Sequence, residues 1–163
     1  MSKKVSILLL ALLAVVCQSC LRSSEDYTPT IACSVFKVGD STLVMGYDTD
    51  ADMYMVDTIA VGDTVAYAIA FATYSNNLVS VSAQWDEKSL EHKAGINDTI
   101  KQVLDLDKSD PDKCQLSFKA GYNGVAFPVR VVALREGATI LTYEVVSDSK
   151  FPSATMKFRF YVD

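Results

Sequence analysis

Apolar residues alternate with small or polar residues along most of the chain from Thr30 onward, which is the period of a β-strand. In residues 64–73, one face carries Val, Tyr, Ile and Phe while alanine occupies the other. Because β-branched and aromatic residues fill every second position, a strand is favoured over an alanine-rich helix. The same alternation predicts strands at residues 79–85, 116–120, 125–134, 139–146 and 156–162.

Turn residues divide these predicted strands from one another. Asn123-Gly124 is a strong hairpin signal, so we expect the strands before and after it to pair with each other. Pro128 lacks a backbone N–H group, and we therefore expect the strand at residues 125–134 to be an edge strand or to be bulged. Residues 86–93 are polar and predict a short helix or turn that Gly95 would end.

The number and spacing of these runs indicate the fold class. About eight short runs with turn residues between them, and no repeated connection of helix length, predict an all-β protein. Antiparallel connections of this kind are typical of a β-sandwich. We therefore expect a single antiparallel β-sandwich over residues 30–163.

The start of the chain has a different pattern, that of an export signal. Lys3 and Lys4 precede a run at residues 5–16 that is apolar except for Ser6. Such a run after a positive start is typical of a signal peptide. It is also shorter than the ~18 residues of a good membrane-spanning candidate. We expect the chain to be exported.

Cys17 and Cys20 end this segment with the spacing of a redox dithiol, which would need a folded domain around it. Ser19 instead has the small size that a signal peptidase requires. The segment resembles a bacterial lipoprotein signal, although Leu is usual at the position of Cys17. The resemblance implies that residues 1–19 are removed and that Cys20 carries acyl chains.

Residues 20–29 are expected to form a polar tether. The sequence LRSSED after Cys20 resembles the signals that send Bacteroidota-type lipoproteins to the cell surface. A solvated linker has the same composition, and both interpretations stay open. The expected location is the outer membrane, on its cell-surface or periplasmic face.

Residues 58–65, followed by a strand that ends at Trp85, resemble the start of immunoglobulin-like modules of secreted bacterial proteins. The resemblance is confined to this part of the chain. It implies that Gly62-Asp63 turns into the second strand of an immunoglobulin-like β-sandwich. It also implies that Trp85 is the core aromatic residue of the third strand.

The charge and the cysteines limit the partners and the chemistry. The formal net charge is −5 and no basic cluster is present, which argues against nucleic-acid binding. Beside the acylated Cys20, the mature chain keeps Cys33 and Cys114. In an oxidising compartment these two would form a disulfide. The alternative is two separate buried thiols.

Residues suited to catalysis or metal binding are scarce. His92 is the only histidine; it lies in a polar stretch and is expected at the surface rather than beside a nucleophile. The acidic residues at 48–52 and 105–112 lack the glycine and glutamate of an EF-hand loop. One histidine and two cysteines are a poor zinc site. We expect no enzyme activity, no cofactor and no metal.

Four tripeptides that begin with Asp followed by Ser or Thr resemble the acceptor of O-glycosylation in exported Bacteroidota proteins. The hydroxyl-bearing residues in them are Ser41, Thr58, Thr64 and Thr99. The same tripeptide also forms turns that enter strands, so a modification site and an ordinary turn are both open.

Tyrosines in or beside predicted loops are candidates for a binding face, namely Tyr47, Tyr54, Tyr74 and Tyr122. Such enrichment is typical of binding surfaces, and it also fits packing at sandwich corners. We expect a lipid-anchored, non-catalytic binding or accessory module that enters the membrane through its acyl chains and binds a glycan or a protein. The alternative function is a structural subunit of a surface assembly, either pilus-type or an envelope scaffold, and a hydrolase is third.

Overall fold

Two β-sheets packed face to face make up residues 27–163, the part of the chain that this computed structural model describes. The first sheet contains β1 (Thr30–Cys33), β2 (Lys37–Val38), β3 (Ser41–Thr42), β6 (Thr64–Ala72), β8 (Leu90–Ala94) and β10 (Gly124–Ala133). The second contains β4 (Met45–Asp48), β5 (Met53–Val56), β7 (Leu78–Gln84), β9 (Gln115–Ser117), β11 (Gly137–Ser147) and β12 (Ser153–Val162). The predicted signal peptide, Cys20 and most of the tether lie outside the described residues.

The strands of each sheet are not paired in simple chain order. In the first sheet the order is β3-β2-β6-β10-β8, and β1 lies beside the other half of β6. In the second sheet the order is β4-β5-β12-β11-β7-β9. All neighbours are antiparallel except β5 and β12. The prediction of an all-β sandwich is therefore confirmed.

The core lies between the sheets and uses the alternation seen in the sequence. On β6 the side chains of Val65, Tyr67, Ile69 and Phe71 are buried, while the alanines between them face outward. Burying each such large apolar side chain stabilises the fold by about 1.5 to 3 kcal/mol. The strand prediction for residues 64–73 is confirmed, because only a period of two places all four on the core side.

The predicted hairpin at Asn123-Gly124 is wrong. The strand before it, β9, pairs with β7 in the second sheet, whereas β10 after it pairs with β6 and β8 in the first. The connection therefore crosses between sheets. Gly124 already belongs to β10, and a Cβ there would lie 3.0 Å from the carbonyl oxygen of Phe71. Its role is close approach to β6 rather than a tight turn.

Pro128 does not mark an edge strand either, since β10 lies between β6 and β8. The strand tolerates it because the ladder to β8 stops at the pair Val129–Ala94. Just beyond that pair, the N–H of Gly95 donates to the Pro128 carbonyl at 2.7 Å. A Cβ on Gly95 would lie 2.6 Å from Cγ of the proline ring. Gly95 is thus needed for this contact and does not end a helix.

The short helix or turn predicted at residues 86–93 is a turn in its first half, and the prediction is wrong from Leu90 onward. Asp86 caps a turn, accepting hydrogen bonds from the Lys88 N–H and the Ser89 hydroxyl. From Leu90 the chain is β8, with Leu90 and His92 buried and the residues between and after them exposed. One α-helix among the described residues, α1 (Asp98–Val103), follows later. Two 3₁₀ turns at Leu106–Lys108 and Pro111–Lys113 then lead to β9.

Candidate binding surface

His92 lies in the core, so the expectation of a surface histidine is wrong. Its Nε2 atom is 2.6 Å from the hydroxyl of Tyr143, which is 2.6 Å from the hydroxyl of Tyr67. The ring also packs against Trp85 in a tilted arrangement, with 4.7 Å between centroids. Trp85 lies just past the end of β7 and is half-buried, so it covers this network rather than filling the core centre.

Burial holds the network in its neutral form. It lowers the pKa of His92 to about 4 and raises the pKa values of Tyr67 and Tyr143 far above their usual range. All three residues are almost fully buried, so a substrate could reach none of these groups from solvent. The network fixes how the two sheets pack against each other, so its role is structural.

The two cysteines of the folded domain are free thiols in the structure, so the predicted disulfide is not formed there. Cys33 is half-buried on β1, and Cys114 is buried before β9. Burial raises the pKa of the Cys114 thiol to about 12, which keeps it protonated and makes it a poor nucleophile.

The acidic stretches form turns. The Asp48 carboxylate accepts from the backbone N–H groups of Asp50 and Ala51, at 3.0 and 3.1 Å. Asp105 pairs with Lys108 at 2.8 Å. Within residues 27–163, no three His, Cys, Asp or Glu side chains are close enough together to hold a metal ion.

The four predicted glycosylation residues are all exposed, namely Ser41, Thr58, Thr64 and Thr99. Their hydroxyl groups are open to a modifying enzyme. Modification at these positions stays a prediction.

The four candidate tyrosines separate into two groups. Tyr47 and Tyr54 are partners across β4 and β5, with ring centroids 5.1 Å apart. Tyr54 also packs on the core residue Phe158 at 5.6 Å. This pair matches the corner-packing alternative. Tyr74 and Tyr122 instead lie in loops at one end of the sandwich.

That end carries four exposed aromatic side chains, and we call it the aromatic end. They are Tyr27, Tyr74, Tyr122 and Phe151, which are 45, 55, 39 and 53% exposed. Sequence reasoning found two of them and missed Tyr27 and Phe151. The missed pair comes from the chain entry and from the loop between β11 and β12, which tertiary structure alone brings to the same end of the sandwich.

Hydrogen bonds around Asn77 and Asp148 hold the loops of the aromatic end together. The backbone N–H and the side-chain amide of Asn77 both donate to the Asp148 carboxylate at 2.7 Å. The Asn77 side-chain oxygen Oδ1 accepts from the Gly121 N–H at 2.9 Å. One asparagine therefore links the loops at residues 73–77, 118–123 and 148–152.

Tyr74 is held outward by an unusual backbone conformation. Its φ is +55°, which bulky residues rarely adopt and which costs of order 1 to 3 kcal/mol. The Asn123 side chain donates to the Tyr74 carbonyl at 2.7 Å. The Asn123 carbonyl in turn accepts from the Thr73 N–H and hydroxyl groups at 2.8 and 3.0 Å. These bonds offset the strain and fix where the ring points.

Tyr74 and Tyr27 form the wall of an open cleft. Their ring centroids are 5.5 Å apart, and with Thr28 and Thr30 they line a space of about 610 Å³. Aromatic rings with hydroxyl tips suit a partner that is apolar on one side and wet on the other.

Charge is distributed unevenly between the two ends of the sandwich. The charged residues in the three loops of the aromatic end are Lys119, Lys150 and Asp148. The carboxylate of Asp148 accepts hydrogen bonds from Asn77. The loops at the opposite end carry two basic residues and many acidic ones, among them Asp40, Asp57, Asp63, Asp86, Glu87 and Glu136. The three loops are therefore close to neutral in an acidic protein, while Glu25 and Asp26 of the tether come just before Tyr27.

A second open surface lies on the outer face of the first sheet, and we call it the alanine face. Ala66 and Ala68 form its exposed floor, and Pro128 and Val35 flank them. The cleft over this face has a volume of about 500 Å³. Ala66 and Ala68 leave the sheet backbone open between the longer exposed side chains of Lys37 and Arg130, which line the same cleft.

Comparisons with known proteins show weak similarity of fold. No protein-family model matches the chain, and no curated protein matches it significantly. A conjugative transposon lipoprotein from Bacteroides eggerthii has a TM-score of 0.45 at 12% identity, over 82% of this chain and 97% of that one. The major subunit AggA of Escherichia coli aggregative adherence fimbriae has a TM-score of 0.33 at 14% identity, over 81% and 96%. Similarity at this level carries no argument about function.

Proposed function

We propose that the protein is a lipid-anchored protein of the bacterial outer membrane that acts as a non-catalytic binding or accessory module. The observation that carries the proposal is the aromatic end, where Tyr74, Tyr122 and Phe151 are exposed on loops held by hydrogen bonds. A cluster of exposed aromatic side chains on a fixed framework is the anatomy of a binding surface.

The strand order supports an immunoglobulin-like form of the sandwich. In that fold, strands A, B, E and D form one sheet and C, F and G the other. Here β1, β6, β10 and β8 follow the first order, and β7, β11 and β12 follow the second. The chain departs from the pattern in two places. Strands β2 to β5 come between the strands that correspond to A and B, and β9 comes in the chain between those that correspond to D and E and pairs with β7.

The burial of the nucleophile and base candidates supports the non-catalytic part of the proposal. His92 is neutral and buried, and the Cys114 thiol stays protonated. General base catalysis needs a side chain within hydrogen-bond reach of the substrate, and His92 is enclosed by the two sheets.

The anchor part of the proposal rests on the sequence around Cys20. Helices long and apolar enough to cross a membrane are not found in residues 27–163. Two or three acyl chains on Cys20 would give stable attachment, because each buried CH₂ contributes about 0.8 kcal/mol.

Replacement of Cys20 tests this proposal. We expect Cys20→Ala to lose its lipid in intact mass spectra, to accumulate as the unprocessed chain and to leave the outer-membrane fraction. Cys17→Ala is the matched control, because Cys17 would leave with the signal peptide, and it should stay anchored. A Cys20→Ala protein that is processed and still membrane-bound would contradict the anchor.

The alanine face favours a second candidate function, a structural subunit of a surface assembly. The edge strands β1, β3, β4, β8 and β9 have only two to five residues, so strand addition has little edge to use. Packing of two copies through the alanine face is the alternative contact. Light scattering on the wild type and on Ala68→Lys tests it: a dimer that becomes a monomer in the variant would support the subunit, and a monomeric wild type would contradict it.

A further inference from the structure

We propose that the aromatic end rests on the lipid surface of the membrane that holds the acyl chains of Cys20, so that the opposite end points away from the membrane. This inference rests on the proposed function and names the partner of its binding surface. Lipid is the partner that the position of the anchor, the aromatic residues and the charge distribution favour together.

The length of the tether is the first argument. Seven residue steps separate Cys20 from Tyr27, and even fully extended they span no more than about 25 Å. Tyr27 lies on the aromatic end, beside Tyr74. The anchor therefore holds this end close to the membrane surface by covalent connection alone.

The length of the sandwich makes the two ends unequal. β11 runs from one end to the other with 11 residues, which is about 35 Å at 3.4 Å per residue. The loops at Gly62 and Arg135 are thus separated from the tether by the full length of the domain. With the aromatic end down, they lie farthest from the lipid.

The side chains of the aromatic end suit a membrane interface. Tyrosine is enriched at the level of lipid headgroups, because its ring enters the apolar region while its hydroxyl stays in water. Phe151 supplies a fully apolar group, and its neighbour Lys150 can reach headgroup phosphates while its stem lies on apolar surface. The three loops hold one carboxylate, Asp148, which accepts two hydrogen bonds from Asn77, and the tether adds Arg22, Glu25 and Asp26.

The charge of the opposite end favours the same orientation. Its loops are rich in acidic residues, which an anionic lipid surface repels. A reversed orientation would bring these carboxylates to the headgroups and leave four aromatic side chains in water. Both effects oppose it.

A tryptophan placed at each end in turn tests the orientation. The lipidated mature protein carries Tyr74→Trp in one variant and Val61→Trp in the other, and is reconstituted in vesicles with brominated phospholipid. Val61 is the matched control because it is 47% exposed on the opposite end. The native Trp85 is present in both variants, and its signal is subtracted with the wild-type protein. Phe151→Trp replaces Tyr74→Trp if circular dichroism shows that the latter does not fold.

We expect brominated vesicles to quench the added emission of the Tyr74→Trp variant and to leave that of the Val61→Trp variant unchanged. Equal quenching in both variants, or none in Tyr74→Trp protein that sediments with the vesicles, would overturn the orientation and leave the proposed function intact. Intact mass without acyl chains would overturn both.

Discussion

Replacing Tyr143 by phenylalanine removes the hydroxyl group at the centre of the buried network. Two partners depend on it, the Tyr67 hydroxyl and His92 Nε2, each 2.6 Å away. Both residues are nearly fully buried, and His92 Nδ1 already has no hydrogen-bond partner. Tyr143→Phe would therefore leave two further polar atoms without partners in the core.

The expected cost follows from the number of groups left unpaired. A buried polar group without a partner costs about 1 to 3 kcal/mol, so Tyr143→Phe should destabilise the fold by about 2 to 6 kcal/mol. Tyr67→Phe is the matched control, because Tyr143 keeps its bond to His92. That change should cost only about 1 kcal/mol. The double variant should cost less than the sum, since Tyr67 then has no hydroxyl to leave unpaired.

Urea unfolding of residues 20–163, produced without the signal peptide and with Cys20→Ala, is followed by circular dichroism and measures these differences without the lipid. Stability of small domains lies at about 5 to 15 kcal/mol, so the larger effect is readily resolved. If Tyr143→Phe costs no more than Tyr67→Phe, the reasoning about unpaired groups is refuted. Additive costs in the double variant would refute the coupling.

Three other predictions follow from the buried histidine, a close backbone contact and the loop framework. The pKa of His92 is about 4 in the folded protein and about 6.5 in the unfolded chain. Above pH 6.5 the histidine is neutral in both states, so the full stability of the fold is present. As the pH falls to 4, unfolding should become easier by about 3 kcal/mol, and urea titrations of His92→Gln should lack this part of the slope. Gly95→Ala should destabilise the fold by about 1 to 3 kcal/mol, because the new Cβ would lie 2.6 Å from the facing proline ring. Gly46→Ala is the control and should be tolerated, because its Cβ would have its nearest neighbour at 4.0 Å. Equal costs of the two changes in thermal melts would contradict the clash. Asn77→Ala should speed hydrogen exchange of the loops that Asn77 joins by about tenfold or more, for about 1.4 kcal/mol lost, and unchanged exchange would show that other contacts hold them.

Local pattern was enough to predict the fold class and much of the core. The alternation at residues 64–73 is a property of neighbouring residues, since a strand turns successive side chains to opposite faces whatever it pairs with. It correctly predicted that Val65, Tyr67, Ile69 and Phe71 are buried together. The signal and anchor predictions also come from local sequence, and they lie outside the described residues.

Pairing was decided by tertiary structure, because a strand's partner depends on residues far along the chain. Asn123-Gly124 has the composition of a hairpin turn, yet the strands around it belong to different sheets. Pro128 reads as an edge residue, but β10 is central and accommodates it where β8 ends. Composition describes the residue and cannot describe which strands flank it.

The candidate site divides in the same way. Tyr74 and Tyr122 could be named from the sequence, since tyrosines in loops are identified by local composition. The inward position of His92 depends on Tyr143, 51 residues away, and no local signal reports that partner. The aromatic end exists because three loops and the chain entry meet there, and only the packing of the two sheets brings them together.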